Sequence, residues 1–242
     1  MIRIVFFWVG QDVTTPSFLV KSAKLLHGND AEIIQLTDQE TPEIAGVTHI
    51  VRNRLSKNLM VARLEAYASV EIGHEYTFFT DADLLFIEKL KLEDSSKRDI
   101  LLIRRVNNIL VNADFPEHYP EFVGKTFLDV MPLLFGAIAV RNARQFFADL
   151  LEICLRLPDR FHRWYGDQVS LFEAYKLNPT AFGFLDASVY QLPMNHVGVP
   201  EELRSLRRSG IQILHFKGRD HKKMMEPTYQ NLLQVVNAPG PR

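Results

Sequence analysis

Two aspartates, Asp81 and Asp83, are the residues whose types and spacing most directly indicate chemistry in this sequence. They follow the aromatic run at 76–79 and precede the apolar residues 84–86. On extended backbone, side chains two residues apart point the same way, so both carboxylates would face one hard divalent cation. Such a cation would also offset the cost of like charges in an apolar setting. The pattern predicts a metal site, and the alternative is a pair of turn or helix-capping aspartates.

A histidine and several basic residues near the C-terminus extend this candidate site. His215 follows the apolar run 211–214 and offers an imidazole as a third ligand, although a structural histidine at a strand end is the alternative. Gly218 would allow the backbone to approach a phosphate closely. Three lysines in the same segment could meet phosphate charge. They are Lys217, Lys222 and Lys223.

A third candidate group follows Gly166 at the start of a predicted helix. Asp167 and Gln168 could hold sugar hydroxyls or stabilise a carbon that becomes positively charged during a reaction. The alternative is that Asp167 is an ordinary helix N-cap. A basic cluster at 204–208, formed by Arg204, Arg207 and Arg208, predicts a solvated face, with an anionic acceptor or a membrane surface as the alternative partner.

The elements that would position these residues alternate between strand and helix. Strands are expected at about 3–9, 31–36, 48–51, 76–80, 99–104 and 133–140, and helices at about 16–26, 56–70, 143–157 and 167–177. This order predicts an α/β fold with a mostly parallel, Rossmann-like sheet and helices on both faces. Ligands of such sheets bind beyond the carboxyl ends of the strands, where Asp81 and Asp83 would lie.

Composition excludes several classes of protein. The 242 residues contain 28 Lys and Arg against 29 Asp and Glu, so a general nucleic-acid binder is not expected. The one cysteine, Cys154, excludes an intrachain disulfide and a cysteine-based zinc site, and a reducing cytoplasm is the expected compartment. No apolar run reaches the ~18 residues of a membrane span, so at most peripheral contact with the inner face of a membrane is expected.

The motifs, taken in order, resemble the nucleotide-sugar glycosyltransferases of the GT-A fold. They are most similar to glycosyltransferase family 8, the bacterial lipopolysaccharide galactosyl/glucosyltransferase and glycogenin group. The matching segments are 61–64, 78–83, 166–168, 192–195 and 215–218. The resemblance extends from residue 1 to about 223. We therefore expect a single domain over 1–242, with a nucleotide-binding half at 1–104, a donor-sugar and acceptor half at 105–223 and a tail at 224–242.

The resemblance implies a role for each matching residue. Asp81, Asp83 and His215 would be ligands of Mn²⁺, or of Mg²⁺, that holds the diphosphate of a UDP-sugar. Asp167 and Gln168 would be the catalytic pair near the donor sugar and its anomeric carbon. The other residues expected to contact the nucleotide sugar are Arg63, Ala82, Gly218, Lys217, Lys222 and Lys223, with Val9, Gly10 and Gln11 at the uridine.

The sequence departs from the family pattern at two places. Phe135 occupies the usual asparagine position before the long helix, and residues 221–224 replace the usual Lys-Pro-Trp. The implied activity is metal-dependent transfer of a hexose to a glycan or glycolipid acceptor with retention. The alternatives are a haloacid-dehalogenase-like phosphohydrolase, a nucleotidyltransferase and a non-catalytic nucleotide-sugar-binding relative. A nucleotidyltransferase would need a phosphate loop with lysine or arginine after the first strand, and residues 10–16 contain neither.

Overall fold

The computed structural model describes residues 1–70, 75–92, 98–106, 108–111, 119–190 and 192–238. The strands are β1 (Ile2–Phe7), β2 (Ala31–Thr37), β3 (His49–Arg52), β4 (Thr77–Thr80), β5 (Leu84–Phe86), β6 (Ile100–Arg104), β7 (Leu133–Val140), β8 (Phe182–Leu185), β9 (Leu192–Pro193) and β10 (Ile213–His215). The helices are α1 (Thr14–His27), α2 (Leu59–Ala68), α3 (Phe127–Val130), α4 (Ala143–Arg156), α5 (Asp159–Arg163), α6 (Gly166–Leu177), α7 (Ala187–Tyr190), α8 (Pro200–Arg208), α9 (Arg219–Lys222) and α10 (Met225–Asn237).

The central sheet has the strand order β3-β2-β1-β4-β7-β6-β8 within the described residues. Neighbouring strands are parallel except at β7, which runs antiparallel to both β4 and β6. The predicted α/β fold with a mostly parallel sheet is confirmed. Because β1 and β4 are adjacent and parallel, the loops that follow them lie at the same edge of the sheet.

Both faces of the sheet are covered, as expected for a buried parallel sheet. Successive side chains of β1 alternate between the two cores: Val5 and Phe7 pack with α2, α4 and α6, whereas Ile4 and Phe6 pack with α1. The sheet thus holds two apolar layers, and the helices that cover them also carry residues of the candidate site.

A second, smaller sheet joins the aspartate segment to the C-terminal histidine. Strand β10 pairs antiparallel with β5 and parallel with β9, and His215 lies opposite Leu84. The backbone N–H of Phe216 donates to the carbonyl of Asp83 at 3.0 Å. These strands have only two or three residues, which is too short for a periodic pattern, so the sequence did not predict this sheet.

The C-terminal helix α10 packs against α1 and α8, where Met225 and Leu232 are fully buried. None of the helices in the described ranges is both long enough and apolar enough to cross a bilayer.

Candidate active site

The two aspartates lie on a turn between β4 and β5. Residues 81–83 are outside both strands, so the prediction that a strand pleat aligns the carboxylates is wrong. Their side chains converge nevertheless, because β10 brings His215 beside them. Single ligand atoms of Asp81, Asp83 and His215 lie within 4.8 Å of one another, close enough to share one cation. Ala82 is buried in the core beside α1.

Strand β7 fixes the position of Asp81. The backbone N–H of Asp81 donates to the carbonyl of Gly136 at 2.9 Å. A Cβ atom at Gly136 would lie 2.2 Å from Oδ2 of Asp81, a distance that carbon and oxygen cannot share. Glycine is required here by the close approach of a side chain and not by its backbone angles.

Asp83 is buried between His215 and Lys222. Nε2 of His215 lies 3.2 Å from Oδ1 of Asp83, and Nζ of Lys222 lies 3.2 Å from Oδ2. Burial alone would raise the pKa of Asp83, but its contacts with His215 and Lys222 outweigh burial and lower the pKa to about 2. The carboxylate is therefore ionised at neutral pH.

One oxygen of Asp83 has an unused lone pair. Oδ1 is buried and accepts no hydrogen bond of good geometry among the described residues, although His215 is within ion-pair distance. A buried acceptor without a donor is costly, and a cation between Asp83 and His215 would remove that cost.

Arg63, on α2, joins the metal cluster to the start of α6. Its guanidinium donates to Oδ1 of Asp81, and its Nη1 donates to Oδ2 of Asp167 at 3.0 Å. It also lies over the ring of Phe135, 4.6 Å from the centroid. Burial disfavours the charge of Arg63, but Tyr67 and the two aspartates outweigh burial and raise its pKa. The guanidinium is thus engaged by two carboxylates, and its predicted contact with a nucleotide sugar stays a prediction.

Asp167 is the second residue of α6, and Tyr165 occupies the N-cap position with φ of 67°. The alternative that Asp167 is the N-cap is therefore wrong. Burial raises the pKa of Asp167, and Arg63 opposes that rise. Gln168 contacts Arg105, a residue that the sequence did not single out. Nη2 of Arg105 donates a hydrogen bond to Oε1 of Gln168 at 2.9 Å. A lone arginine after a strand carries no signal in a sequence.

The basic segment after His215 divides into residues that reach the cluster and residues that do not. Gly218 has φ of 94° and is the N-cap of α9, whose last residue, Lys222, reaches Asp83. Lys223 is exposed and pairs with Asp220 at 2.9 Å. Lys217 is exposed, with its Nζ 5.6 Å from the ring centroid of Phe127.

The loop after β1 forms a separate part of the same sheet edge. Val9 is exposed, and Gly10 has φ of 134°, with its N–H donating to Oγ1 of Thr41 at 2.9 Å. Gln11 donates through Nε2 to the carbonyl of Glu40 at 3.1 Å. These contacts tie the expected uridine loop to the segment after β2.

Comparison with known proteins gives matches at the level of solved structures. No protein-family model and no curated protein matches the chain. The galactosyltransferase LgtC, solved in complex with donor and acceptor sugar analogs, superposes with a TM-score of 0.57 at 11% identity, over 99% of this chain and 98% of that one. The glycosyltransferase GlyE of Streptococcus pneumoniae gives 0.59 at 13% identity over 98% of this chain and 63% of its own.

A glycosyltransferase involved in glycosylation of the major capsid of PBCV-1 gives a TM-score of 0.55 at 10% identity, over 95% of this chain and all of that one. At these identities the similarity is one of fold. The chain has the GT-A fold that the order of its motifs predicted.

Proposed function

Because the chain has the GT-A fold, we propose that it is a metal-dependent glycosyltransferase that moves a hexose from a nucleotide sugar to a glycan or glycolipid acceptor. The resemblance to family 8 favours UDP as the nucleotide. The observation that carries this proposal is the convergence of Asp81, Asp83 and His215 beyond the carboxyl end of β4. Retention of the anomeric configuration is part of the proposal and rests on the resemblance to family 8.

The donor atoms of this cluster fit Mn²⁺ and, less well, Mg²⁺. Two carboxylates and one imidazole suit a borderline cation that accepts nitrogen, and Mg²⁺ prefers oxygen ligands alone. The buried Oδ1 of Asp83, which lacks a donor in the described structure, is an acceptor of the kind that a cation would satisfy. A divalent ion there would supply charge to neutralise a diphosphate leaving group.

The remaining side chains support the same reaction. Lys222, on the short helix that follows the Gly218 turn, is near enough to the cluster to meet phosphate oxygens. Arg63 links Asp167 to the cluster, and Arg105 holds the side chain of the next residue, Gln168. Oxygen atoms of this kind stabilise a sugar that becomes oxocarbenium-like. A peripheral membrane position and a cytoplasmic compartment remain predictions of the sequence.

The first experiment is a thermal-shift panel of UDP, GDP, CDP and ADP, each with Mn²⁺ and with EDTA. A ligand that binds only the folded state stabilises it by about 2.7 kcal/mol at a hundredfold excess over its Kd. We expect Tm to rise only in the sample that contains both UDP and Mn²⁺. A screen of UDP-sugars would follow that result. Phosphatase activity with no nucleotide shift would favour the phosphohydrolase alternative, and nucleotide binding with no transfer would favour the non-catalytic relative.

The site is tested by Asp83→Ala, with Asp149→Ala on the exposed face of α4 as the matched control. We expect Asp83→Ala to lose the Mn²⁺-dependent shift while its circular dichroism stays native, because one of three ligands is gone. The control should keep the full shift. Unchanged Mn²⁺ dependence of UDP binding in Asp83→Ala would mean that the metal lies elsewhere.

A further inference from the structure

Two cationic side chains lie close to the ring of Phe127 beside the candidate site. Cζ of Arg105 lies 4.5 Å from the ring centroid, and Nζ of Lys217 lies 5.6 Å from the same centroid. In the part of the chain that the structure describes, no carboxylate lies within ion-pair distance of either group. Both cations therefore share Phe127 as a neighbour, and neither has a described carboxylate at contact distance.

Arg105 shows the imbalance most clearly. Its Nε donates to the carbonyl of Met131 at 3.0 Å and its Nη2 to Oε1 of Gln168 at 2.9 Å, and both acceptors are neutral. Burial lowers its pKa to about 10. Arg63, by contrast, is held by two carboxylates. A guanidinium has five N–H donors, so Nη1 of Arg105, which bonds to none of the described residues, can bind an anion.

The position of this pair is next to the metal cluster and not on it. Arg105 bonds to Gln168, whose neighbour Asp167 is linked through Arg63 to Asp81. The pair therefore lies on the Asp167–Gln168 side of the cluster, where the proposed function has the sugar.

The charges of the side chains connected by these contacts favour an anionic ligand. Among the described side chains at this site, four cations face three carboxylates, an excess of one positive charge. The cations are Arg63, Arg105, Lys217 and Lys222, and the carboxylates are Asp81, Asp83 and Asp167. A divalent ion and the two charges of a nucleotide-sugar diphosphate cancel each other, so the excess persists in a loaded site. One carboxylate would neutralise it.

We propose that Arg105 and Lys217 bind the carboxylate of an acidic sugar, so that one substrate of this chain is a uronic acid. The inference rests on the proposed function and names its substrate class. The carboxylate could belong to the sugar of the donor or to the sugar of the acceptor. Both would present the same planar anion to the free edge of the guanidinium.

The experiment measures affinity by calorimetry in two arms. The donor arm compares UDP-glucuronic and UDP-galacturonic acid with UDP-glucose and UDP-galactose, each with Mn²⁺. The acceptor arm compares p-nitrophenyl glucuronides and galacturonides with the neutral glycosides, on protein loaded with Mn²⁺ and UDP. We expect at least tenfold tighter binding of the uronates in one arm, and that arm identifies the source.

Variants connect the preference to the two cations. Lys217→Gln and Arg105→Gln should each reduce the ratio of uronate affinity to neutral-sugar affinity by fivefold or more. If Arg105→Gln folds poorly, Arg105→Lys replaces it, and this variant should keep part of the wild-type ratio because it keeps the charge. Arg104→Gln is the matched control, because Arg104 is the exposed neighbour whose guanidinium lies over Phe184. It should keep the wild-type ratio.

Three outcomes would overturn the inference. Equal affinities for uronates and neutral sugars in both arms, in protein that binds UDP with Mn²⁺, would refute it and leave the proposed function intact. Variants that weaken both sugars equally would assign the cations to the shared diphosphate. Absence of any nucleotide binding would refute the proposed function and the inference with it.

Discussion

At the scale of single residues, basic side chains already occupy the carboxylates that would bind a metal. Lys222 contacts Oδ2 of Asp83 at 3.2 Å, and Arg63 donates to Asp81. A cation that enters the cluster must therefore share these ligands with ammonium and guanidinium groups or displace them. Once displaced, Lys222 could bind the phosphates of a nucleotide. The same lysine would therefore weaken binding of the metal by itself and strengthen binding of the metal together with a nucleotide.

This competition predicts the effect of Lys222→Met on Mn²⁺ binding without nucleotide. Removing a positive charge beside Asp83 should tighten Mn²⁺ binding by about fivefold, since the carboxylate no longer neutralises the lysine. Titration of free Mn²⁺ by electron paramagnetic resonance measures the affinity directly. Lys223→Met is the matched control, because Lys223 is exposed and pairs with Asp220. Weaker Mn²⁺ binding in Lys222→Met would contradict the competition.

At the scale of elements, the site is assembled where β4, β7 and β10 end or pass close together. The turn after β4 carries the aspartates, β10 carries the histidine, and β7 leaves room for Asp81 only because residue 136 lacks a side chain. The position of this strand therefore determines the direction of one metal ligand.

Gly136→Ala tests that dependence. The added methyl group should displace the carboxylate of Asp81 and weaken Mn²⁺ binding at least tenfold, while the strand itself tolerates alanine. A double-mutant cycle supplies the control: in the Asp81→Ala background the methyl group meets no carboxylate, so adding Gly136→Ala should cost nothing further in affinity. An equal loss in both backgrounds would show that the glycine acts on the backbone of β7 and not on Asp81.

The sequence predicted those elements whose order and periodicity are local. Alternating strands and helices predicted the α/β sheet, and the rule that ligands bind at carboxyl ends placed Asp81 and Asp83 at its edge. The pairing of β5 with β10 was not predictable, because it joins short segments far apart in the chain. Arg105 was missed for a related reason, since its partner Gln168 is 63 residues away.

At the scale of the whole molecule, the helices that hold the site also form the larger core. Arg63 lies on α2 and Asp167 on α6, and both helices pack against α4 through a core that contains Cys154. Gly166 permits the close approach of α6, since a Cβ there would lie 2.9 Å from the sulfur of Cys154 and 2.3 Å from the carbonyl oxygen of Phe161. Opening this core would separate Arg63 from Asp167 and dismantle the site.

Cys154 therefore reports on the integrity of the site. Burial raises the pKa of its thiol to about 11, and a raised pKa leaves less of the reactive thiolate at any lower pH. We expect labelling of the native protein by iodoacetamide at pH 8 to be at least ~100-fold slower than labelling of the unfolded chain. The rate should rise with pH toward 11, and UDP with Mn²⁺ should slow it further if labelling requires opening of the folded state.

The control for this labelling is Leu155→Cys in a Cys154→Ala background, because Leu155 is the exposed neighbour on α4. Its thiol should react at close to the rate of an unfolded cysteine, with or without nucleotide. Similar rates for Cys154 and this control in native protein would mean that the α2–α4–α6 core opens freely. In that case the Arg63–Asp167 link could not hold the acids of the site in a fixed geometry, and the positions of Asp167 and Gln168 would have to be set by the bound substrate.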